Sequence, residues 1–145
     1  MARVKVELPA SFSFSTQIPV RITDINYGNH VGNDSLLSII HESRMQLLSK
    51  YGFTELNCGG TALIMSDAAI EFRKELFYGD VVEASLAVTA FSKFGFEIYY
   101  QLSKKTDEQQ VVVAKAKTGM LCFNYSSRQL EPVPALVREL LETVL

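Results

Sequence analysis

The chain has 145 residues, of which 48% are apolar, so it is long enough for one domain with a hydrophobic core, which we expect to span residues 1–145. Its net charge is −2 and its basic residues are scattered, which argues against a nucleic-acid-binding groove. No segment approaches the roughly 20 apolar residues of a membrane span, and no signal peptide is visible at the N-terminus. We therefore expect a cytoplasmic protein with no nucleic-acid partner and no membrane partner.

The first predicted element is a strand over residues 12–21. A long helix pattern follows over residues 34–51, and Gly52 is placed to end it. A helix of about 18 residues is about 27 Å long, which is enough to cross a small domain. Its apolar positions cover most of the helix circumference, which indicates burial on more than one side.

Alternating apolar and polar residues predict strands over most of the remaining chain. The predicted elements are strands over residues 62–75, 81–91, 94–102 and 111–124, followed by a short amphipathic helix over residues 133–145. We interpret residues 77–80 as a turn between neighbouring strands and residues 103–110 as a polar hairpin tip. Gly119, inside the last strand, suggests a bulge.

One helix between a first strand and a four-strand antiparallel meander is buried only if the sheet curls around it. This predicts an α+β layer arrangement. Such a sheet leaves one edge strand and one flank of the helix uncovered, and a second copy of the chain is the simplest cover. We therefore expect a homodimer or homotetramer with the site between subunits.

Polar side chains are concentrated in the loop between the first strand and the helix. Residues 24–34 contain two carboxylates, three carboxamides, a phenol, a histidine and two glycines: Asp24, Asn26, Tyr27, Gly28, Asn29, His30, Gly32, Asn33 and Asp34. A turn that ends in a helix cap at Asn33 or Asp34 would explain the glycines and one Asn or Asp. It does not require the other polar side chains, so we interpret the loop as a functional site.

A family resemblance rests on three motifs. The loop reads Asp24-Ile25-Asn26-Tyr27-Gly28-Asn29-His30-Val31-Gly32-Asn33, the helix contains His41-Glu42-Ser43-Arg44, and Tyr78-Gly79-Asp80 separates two strands. In this order, over residues 18–125, they resemble the D-x-D-x-x-G-H-V-N-N loop, the E-x-R helix and the Gly-Asp turn of the hotdog-fold acyl-CoA thioesterases, specifically the 4-hydroxybenzoyl-CoA thioesterase-like group. The resemblance implies a curled antiparallel sheet around one long central helix. It also implies hydrolysis of an acyl-CoA or acyl-carrier-protein thioester.

The loop departs from the family pattern at one position. The second acid of D-x-D is usually the nucleophile or the general base, and here that position is Asn26. Other hotdog thioesterases use an Asn and His pair in this loop, or an acid on the central helix, so the resemblance still implies an enzyme.

We assign catalysis to Asp24, Asn26 and His30, with Asp24 as the base or as the group that orients His30. Thioester hydrolysis also needs donors for the oxyanion, and the backbone N–H groups at the start of the helix suit that purpose. The candidate substrate-binding residues are Tyr27, Asn29, Val31, Asn33, Glu42 and Asp67.

Two other functions stay open at this point. One is a hotdog enoyl-CoA hydratase or dehydratase, because Asp24-x-Asn26 and His30 are similar to the D-x-N-P-x-H loop of the R-specific enoyl hydratases. Here the spacing to the His is one residue longer and the Pro is missing. The other is a non-catalytic acyl-CoA-binding module, which the loss of the second acid favours.

We expect no metal and no redox cofactor. Cys58 and Cys122 have neither CxxC nor Cys/His spacing, and we interpret them as reduced thiols. No cluster of His, Cys and carboxylate residues has the spacing of a metal site, and no glycine-rich dinucleotide loop follows a strand.

Overall fold

One long helix lies against one curved antiparallel sheet in the computed structural model, which describes residues 2–145. In chain order the elements are β1 (Phe14–Pro19), a 3-10 turn (Ile22–Asp24), α1 (Asn33–Lys50), β2 (Ala62–Phe72), β3 (Val81–Thr89), β4 (Gly95–Thr106), β5 (Gln109–Asn124), β6 (Gln129–Leu130) and α2 (Ala135–Leu141). The strand order is β1-β3-β4-β5-β2, and β6 pairs with β5. The predicted α+β arrangement, with a short C-terminal helix, is confirmed.

The core lies between α1 and the concave face of the sheet. Five apolar residues of α1 are buried there: Leu36, Ile39, Ile40, Leu47 and Leu48. They face alternate residues of the three central strands, among them Val82, Leu86, Ile98, Tyr100, Leu102 and Ala116. Because side chains alternate between the two faces of a strand, every second residue contributes to this one layer. Among residues 2–145, no helix is both long enough and apolar enough to cross a membrane.

The strand order corrects the predicted four-strand meander. Strands β3, β4 and β5 form a meander, but β2 pairs with β5 and lies at the edge of the sheet, away from β3. Residues 73–80 are therefore a crossover and not a turn between neighbours. The crossover passes the loop that leads into α1, and there the Val31 N–H donates to the Leu76 carbonyl (2.9 Å). Strands that follow each other in the chain are neighbours in only about two thirds of cases. Here the segment between β2 and β3 is held beside the loop that precedes α1, where Leu76 is buried.

Two local predictions are also corrected. The hairpin tip is shorter than residues 103–110, because β4 and β5 continue to a two-residue turn at Asp107 and Glu108. The bulge of β5 is not at Gly119 but at Val113, opposite β4, and a bulge in β2 lies at Ser66, opposite Gly119. A methyl group on Gly119 would lie 2.7 Å from Ser66 Oγ, so the glycine accommodates a close approach by the bulged strand.

A polar cluster extends from the core to the surface of α1 and contains the Arg of the E-x-R motif. Arg44 Nη1 donates to the Tyr100 hydroxyl (3.1 Å), and Arg44 Nε donates to the Glu55 carboxylate (3.2 Å). The Tyr100 hydroxyl also bonds to Thr118 Oγ1 (2.7 Å), and His41 Nε2 bonds to the Glu55 carboxylate. The buried guanidinium is tolerated because it is paired with a carboxylate and hydrogen-bonded.

Candidate active site

A cleft of about 240 Å³ lies at the N-terminal end of α1, between the loop and the crossover. The predicted site residues that line it are His30, Val31 and Asn33. Its other walls include Leu36 of α1, Phe72 at the end of β2, and Arg73, Lys74, Glu75 and Leu76 of the crossover. The cleft therefore combines apolar walls with one imidazole, one carboxylate and two basic side chains next to the end of a helix.

Hydrogen bonds within the loop fix its shape. The Asn26 N–H donates to the His30 carbonyl (2.9 Å), and the Asn29 N–H donates to the Asn26 carbonyl (3.1 Å). Asn26 Oδ1 accepts the Gly28 N–H (2.8 Å). Asn29 has φ = 66°, a left-handed conformation that Gly and Asn adopt most easily. Asn26 thus uses its amide oxygen for the turn, which leaves the amide nitrogen as a donor.

His30 presents one ring nitrogen to the cleft. Its Nδ1 lies 3.1 Å from the Val31 carbonyl. Because a carbonyl only accepts, Nδ1 carries the hydrogen, and Nε2 is the unprotonated nitrogen of the neutral ring. Nε2 lies 4.0 Å from Glu75 Oε1. The imidazole can therefore take up or release a proton at Nε2.

The N-terminal end of α1 offers backbone donors to the same cleft. Its N-cap is Gly32, and not Asn33 or Asp34 as the alternative interpretation of a capped turn requires, because both of those residues are already inside the first turn. No side chain of residues 2–145 caps the helix, and its first hydrogen bond runs from the Leu36 N–H to the Gly32 carbonyl (3.0 Å). The N–H groups of residues 33–35 therefore have no acceptor within the helix. With the positive end of the helix dipole, they can bind an oxyanion.

Asp24 is buried, with 4% of its surface exposed. Its Oδ2 accepts the backbone N–H of Arg21 (2.8 Å), and its Oδ1 accepts Arg21 Nη2 (3.3 Å). The Asp24 carbonyl accepts the Gly32 N–H (3.3 Å). These contacts join the end of β1 to the start of α1, and the hydrogen bonds of Asp24 do not include His30.

Glu42 lines a different cleft from His30. It is exposed on α1 and accepts a hydrogen bond from Gln46 Nε2 (2.7 Å). The second cleft, of about 400 Å³, lies between β1 and α1, and Asp24 and Arg21 also line it. The structure therefore places Glu42 and Asp24 in a second groove, separate from the cleft that His30 lines.

Three predicted substrate-binding residues lie outside both clefts. The side chains of Tyr27 and Asn29 are exposed in the loop. Asp67 is on the convex face of the sheet, where it accepts hydrogen bonds from Lys117 Nζ (2.9 Å) and the Gly119 N–H (3.1 Å). The hydrogen bond from Lys117 lowers the pKa of the Asp67 carboxyl. Contact between these three residues and a substrate stays a prediction.

The end of β2 and the crossover supply cleft residues that were not expected from the sequence, namely Phe72, Arg73, Lys74, Glu75 and Leu76. One signal was present, because residues 73–75 are three consecutive charges between an apolar strand and Leu76. That pattern indicates a loop, but it does not indicate which part of the molecule the loop crosses. The crossover reaches the cleft because β2 pairs with β5.

The cleft has the groups for proton transfer and for oxyanion binding. Within residues 2–145, no three His, Cys, Asp or Glu side chains form a group that could hold a metal ion. The expectation of no metal and no redox cofactor stays a prediction.

Comparison with known proteins identifies the family. A model of the Thioesterase-like superfamily matches residues 20–141. The chain belongs to this superfamily. A 1,4-dihydroxy-2-naphthoyl-CoA hydrolase of Nostoc punctiforme is 30% identical to this thioesterase-superfamily protein over 137 residues, covering 90% of the present chain and 88% of the relative.

Solved structures of thioesterases share the fold of this superfamily member. A 1,4-dihydroxy-2-naphthoyl-CoA thioesterase from Synechocystis is 26% identical, with a TM-score of 0.74 over 83% of this chain and 89% of that one. A 4-hydroxybenzoyl CoA thioesterase complexed with 4-hydroxybenzoyl CoA is 15% identical, with a TM-score of 0.77 over 89% and 98% of the two chains. The predicted hotdog fold and the predicted enzyme class, a hydrolase of acyl-CoA thioesters, are confirmed.

Proposed function

We propose that this protein hydrolyses a coenzyme A thioester of an aromatic acid in the cleft at the N-terminal end of α1. The observation that carries the proposal is that His30 and Asn33, the first residue of α1 with an open N–H group, line one cleft with apolar walls. Val31, Phe72 and Leu76 provide apolar surface of the kind that binds a ring. The names of the relatives, which refer to a dihydroxynaphthoyl group, support an aromatic acid.

Each group of the loop has a role in this proposal. The N–H groups of residues 33–35 receive the thioester carbonyl oxygen and stabilise the oxyanion. The Asn26 amide holds the attacking water, and His30 transfers a proton at Nε2. Asp24 acts as a positioning residue, because both of its carboxylate oxygens bind Arg21.

A panel of acyl-CoA substrates with a thiol reagent tests the reaction itself. We expect release of free thiol, fastest from 1,4-dihydroxy-2-naphthoyl-CoA and 4-hydroxybenzoyl-CoA and slower from straight-chain acyl-CoA. Loss of enoyl absorbance without thiol release would indicate a hydratase instead. Binding without turnover on any substrate would indicate a binding module.

The variant His30→Ala tests the site. We expect kcat to fall by at least about 10²-fold, because positioned acid–base groups typically contribute 10² to 10⁴. His41→Ala is the matched control, because His41 is the second of two histidines, is exposed on α1, pairs with Glu55 and does not line the cleft. Wild-type turnover in His30→Ala would remove the imidazole from the mechanism.

We further propose that two copies of the chain pair along β2 and complete the site. Strand β2 lies at a sheet edge, and three apolar side chains near it are half exposed: Leu37 (43%), Met65 (49%) and Phe72 (46%). Because Phe72 also lines the cleft, a partner that covers this edge reaches the substrate. We expect sedimentation equilibrium at micromolar concentration to give a dimer or a tetramer, and a monomer would contradict the proposal.

A further inference from the structure

A carboxylate that the reaction has not yet used lies beside Asn26. A methyl group added to Gly32 would lie 2.7 Å from Asp34 Oδ1 and 3.6 Å from Asn26 Nδ2. A methyl group added to Gly28 would lie 3.2 Å from Asn26 Oδ1 and 3.3 Å from His30 Nε2. The Asn26 amide nitrogen and the Asp34 carboxylate therefore border the same space beside Gly32, and the Asn26 amide oxygen and the His30 imidazole border the same space beside Gly28.

The Asp34 carboxylate is free to act on a ligand. Asp34 is exposed in the first turn of α1, and its backbone carbonyl accepts a hydrogen bond from Ser38 Oγ (3.4 Å). Within residues 2–145, its carboxylate forms neither a helix cap nor a salt bridge. The backbone N–H groups of residues 33–35, which we propose as oxyanion donors, belong to the same turn. A water bound to the Asn26 amide nitrogen in this space would have the Asp34 carboxylate as a neighbour.

We propose that Asp34 is the general base of the hydrolysis, an inference that rests on the proposed function. Water adds to the thioester carbon while one of its protons moves to the Asp34 carboxylate. The oxyanion then collapses, and the carbon–sulfur bond breaks with its electron pair on sulfur. Protonated His30 gives its Nε2 proton to the thiolate, and the proton held by Asp34 returns to His30 through solvent. The products are one carboxylic acid and one thiol.

The test compares Asp34→Asn, Asp34→Glu and Asn26→Asp with the double variant Asn26→Asp/Asp34→Asn, using thiol release from the best acyl-CoA substrate. Asp34→Asn is expected to lower kcat by about 10²-fold or more with little change in KM. The double variant is expected to recover much of that loss, because it moves the carboxylate to the other side of the same water site. Asp107→Asn, in the β4–β5 turn, is the control for loss of one negative charge.

The glutamate variant separates catalysis from an effect of charge on the helix. Asp34→Glu keeps a negative charge at the positive end of the dipole but displaces the carboxylate, so its melting temperature should match wild type while its kcat falls. Wild-type kcat in Asp34→Asn or Asp34→Glu, or no recovery in the double variant, would overturn the inference alone. A wild-type protein that releases no thiol from any acyl-CoA would overturn the proposed function and this inference together.

Discussion

The polar residues of the loop divide between holding the backbone and facing the cleft. Asp24 gives both carboxylate oxygens to Arg21, and Asn26 gives its amide oxygen to the Gly28 N–H. His30 uses one ring nitrogen for the Val31 carbonyl and presents the other to the cleft. The type of a side chain suggests the chemistry it can do, but its neighbours in space decide whether it is available.

Asp24→Ala is expected to lower the free energy of unfolding by about 1–3 kcal/mol, because the Arg21 N–H loses a charged, buried acceptor. We expect kcat to fall with it, since the start of α1 is no longer tied to β1. Urea denaturation measures the free energy of unfolding. Thr23→Ala is the control, because Thr23 is an exposed neighbour of Asp24, and its free energy of unfolding should stay within about 0.5 kcal/mol of wild type. An Asp24→Ala protein with full stability and no turnover would instead show that Asp24 contacts the substrate.

In the β4–β5 hairpin, one turn residue has an unfavourable backbone conformation that lowers the stability of the hairpin. Its turn residues Asp107 and Glu108 have φ values of 49° and 65°. Positive φ at both central positions is the geometry of a type I′ turn, which matches the twist of the flanking strands. Asp tolerates this conformation, but the second position favours Gly, so Glu108 carries local strain.

Glu108→Gly is expected to raise the free energy of unfolding by about 0.5–1 kcal/mol, because relief of the left-handed strain exceeds the entropy that glycine adds to the unfolded chain. Thermal or urea denaturation measures the change. Glu108→Ala is the control, because it removes the same side chain and charge but keeps the strain, and it should give no such gain. Equal stabilities of the two variants would contradict this account of the turn.

At the scale of the whole molecule, the core encloses both thiols. Cys58 and Cys122 are free and fully buried. Burial raises the pKa of Cys58 from 9.0 to about 12, and burial also raises the pKa of Cys122 from 9.0 to about 11. The folded protein therefore keeps both thiols protonated under conditions in which the unfolded chain releases its protons.

This difference predicts a loss of stability at alkaline pH. Above pH 9 the unfolded state binds fewer protons than the folded state, so the free energy of unfolding falls as the pH rises towards the folded pKa values. The slope approaches about 1.4 kcal/mol per pH unit for each thiol. Urea denaturation between pH 8 and pH 11 measures it, with Cys58→Ala/Cys122→Ala as the control that should show a shallower slope. Equal slopes would mean that the thiols are accessible to solvent.

The helix, the main strands and the polar character of the loop could be predicted from the sequence. Periodicity located α1 and the five main strands to within a few residues, because the alternation of burial follows directly from local geometry. The cluster of polar side chains between β1 and α1 indicated a site, and His30, Val31 and Asn33 do line the cleft. The two-residue β6 was missed, because so short a strand has no periodicity.

Which side chains lie together in the cleft depends on the tertiary structure. The pairing of β2 with β5 brings Phe72, Glu75 and Leu76 to the loop, and this pairing depends on contacts between residues far apart in the chain. It also places Asp67 on the convex face, and the packing of β1 beside α1 places Glu42 in a second cleft. A local pattern specifies which face of an element is apolar. Which element covers this face depends on the packing of the whole chain. The residues that the β2–β5 pairing brings to the cleft therefore could not be predicted from the sequence of the loop.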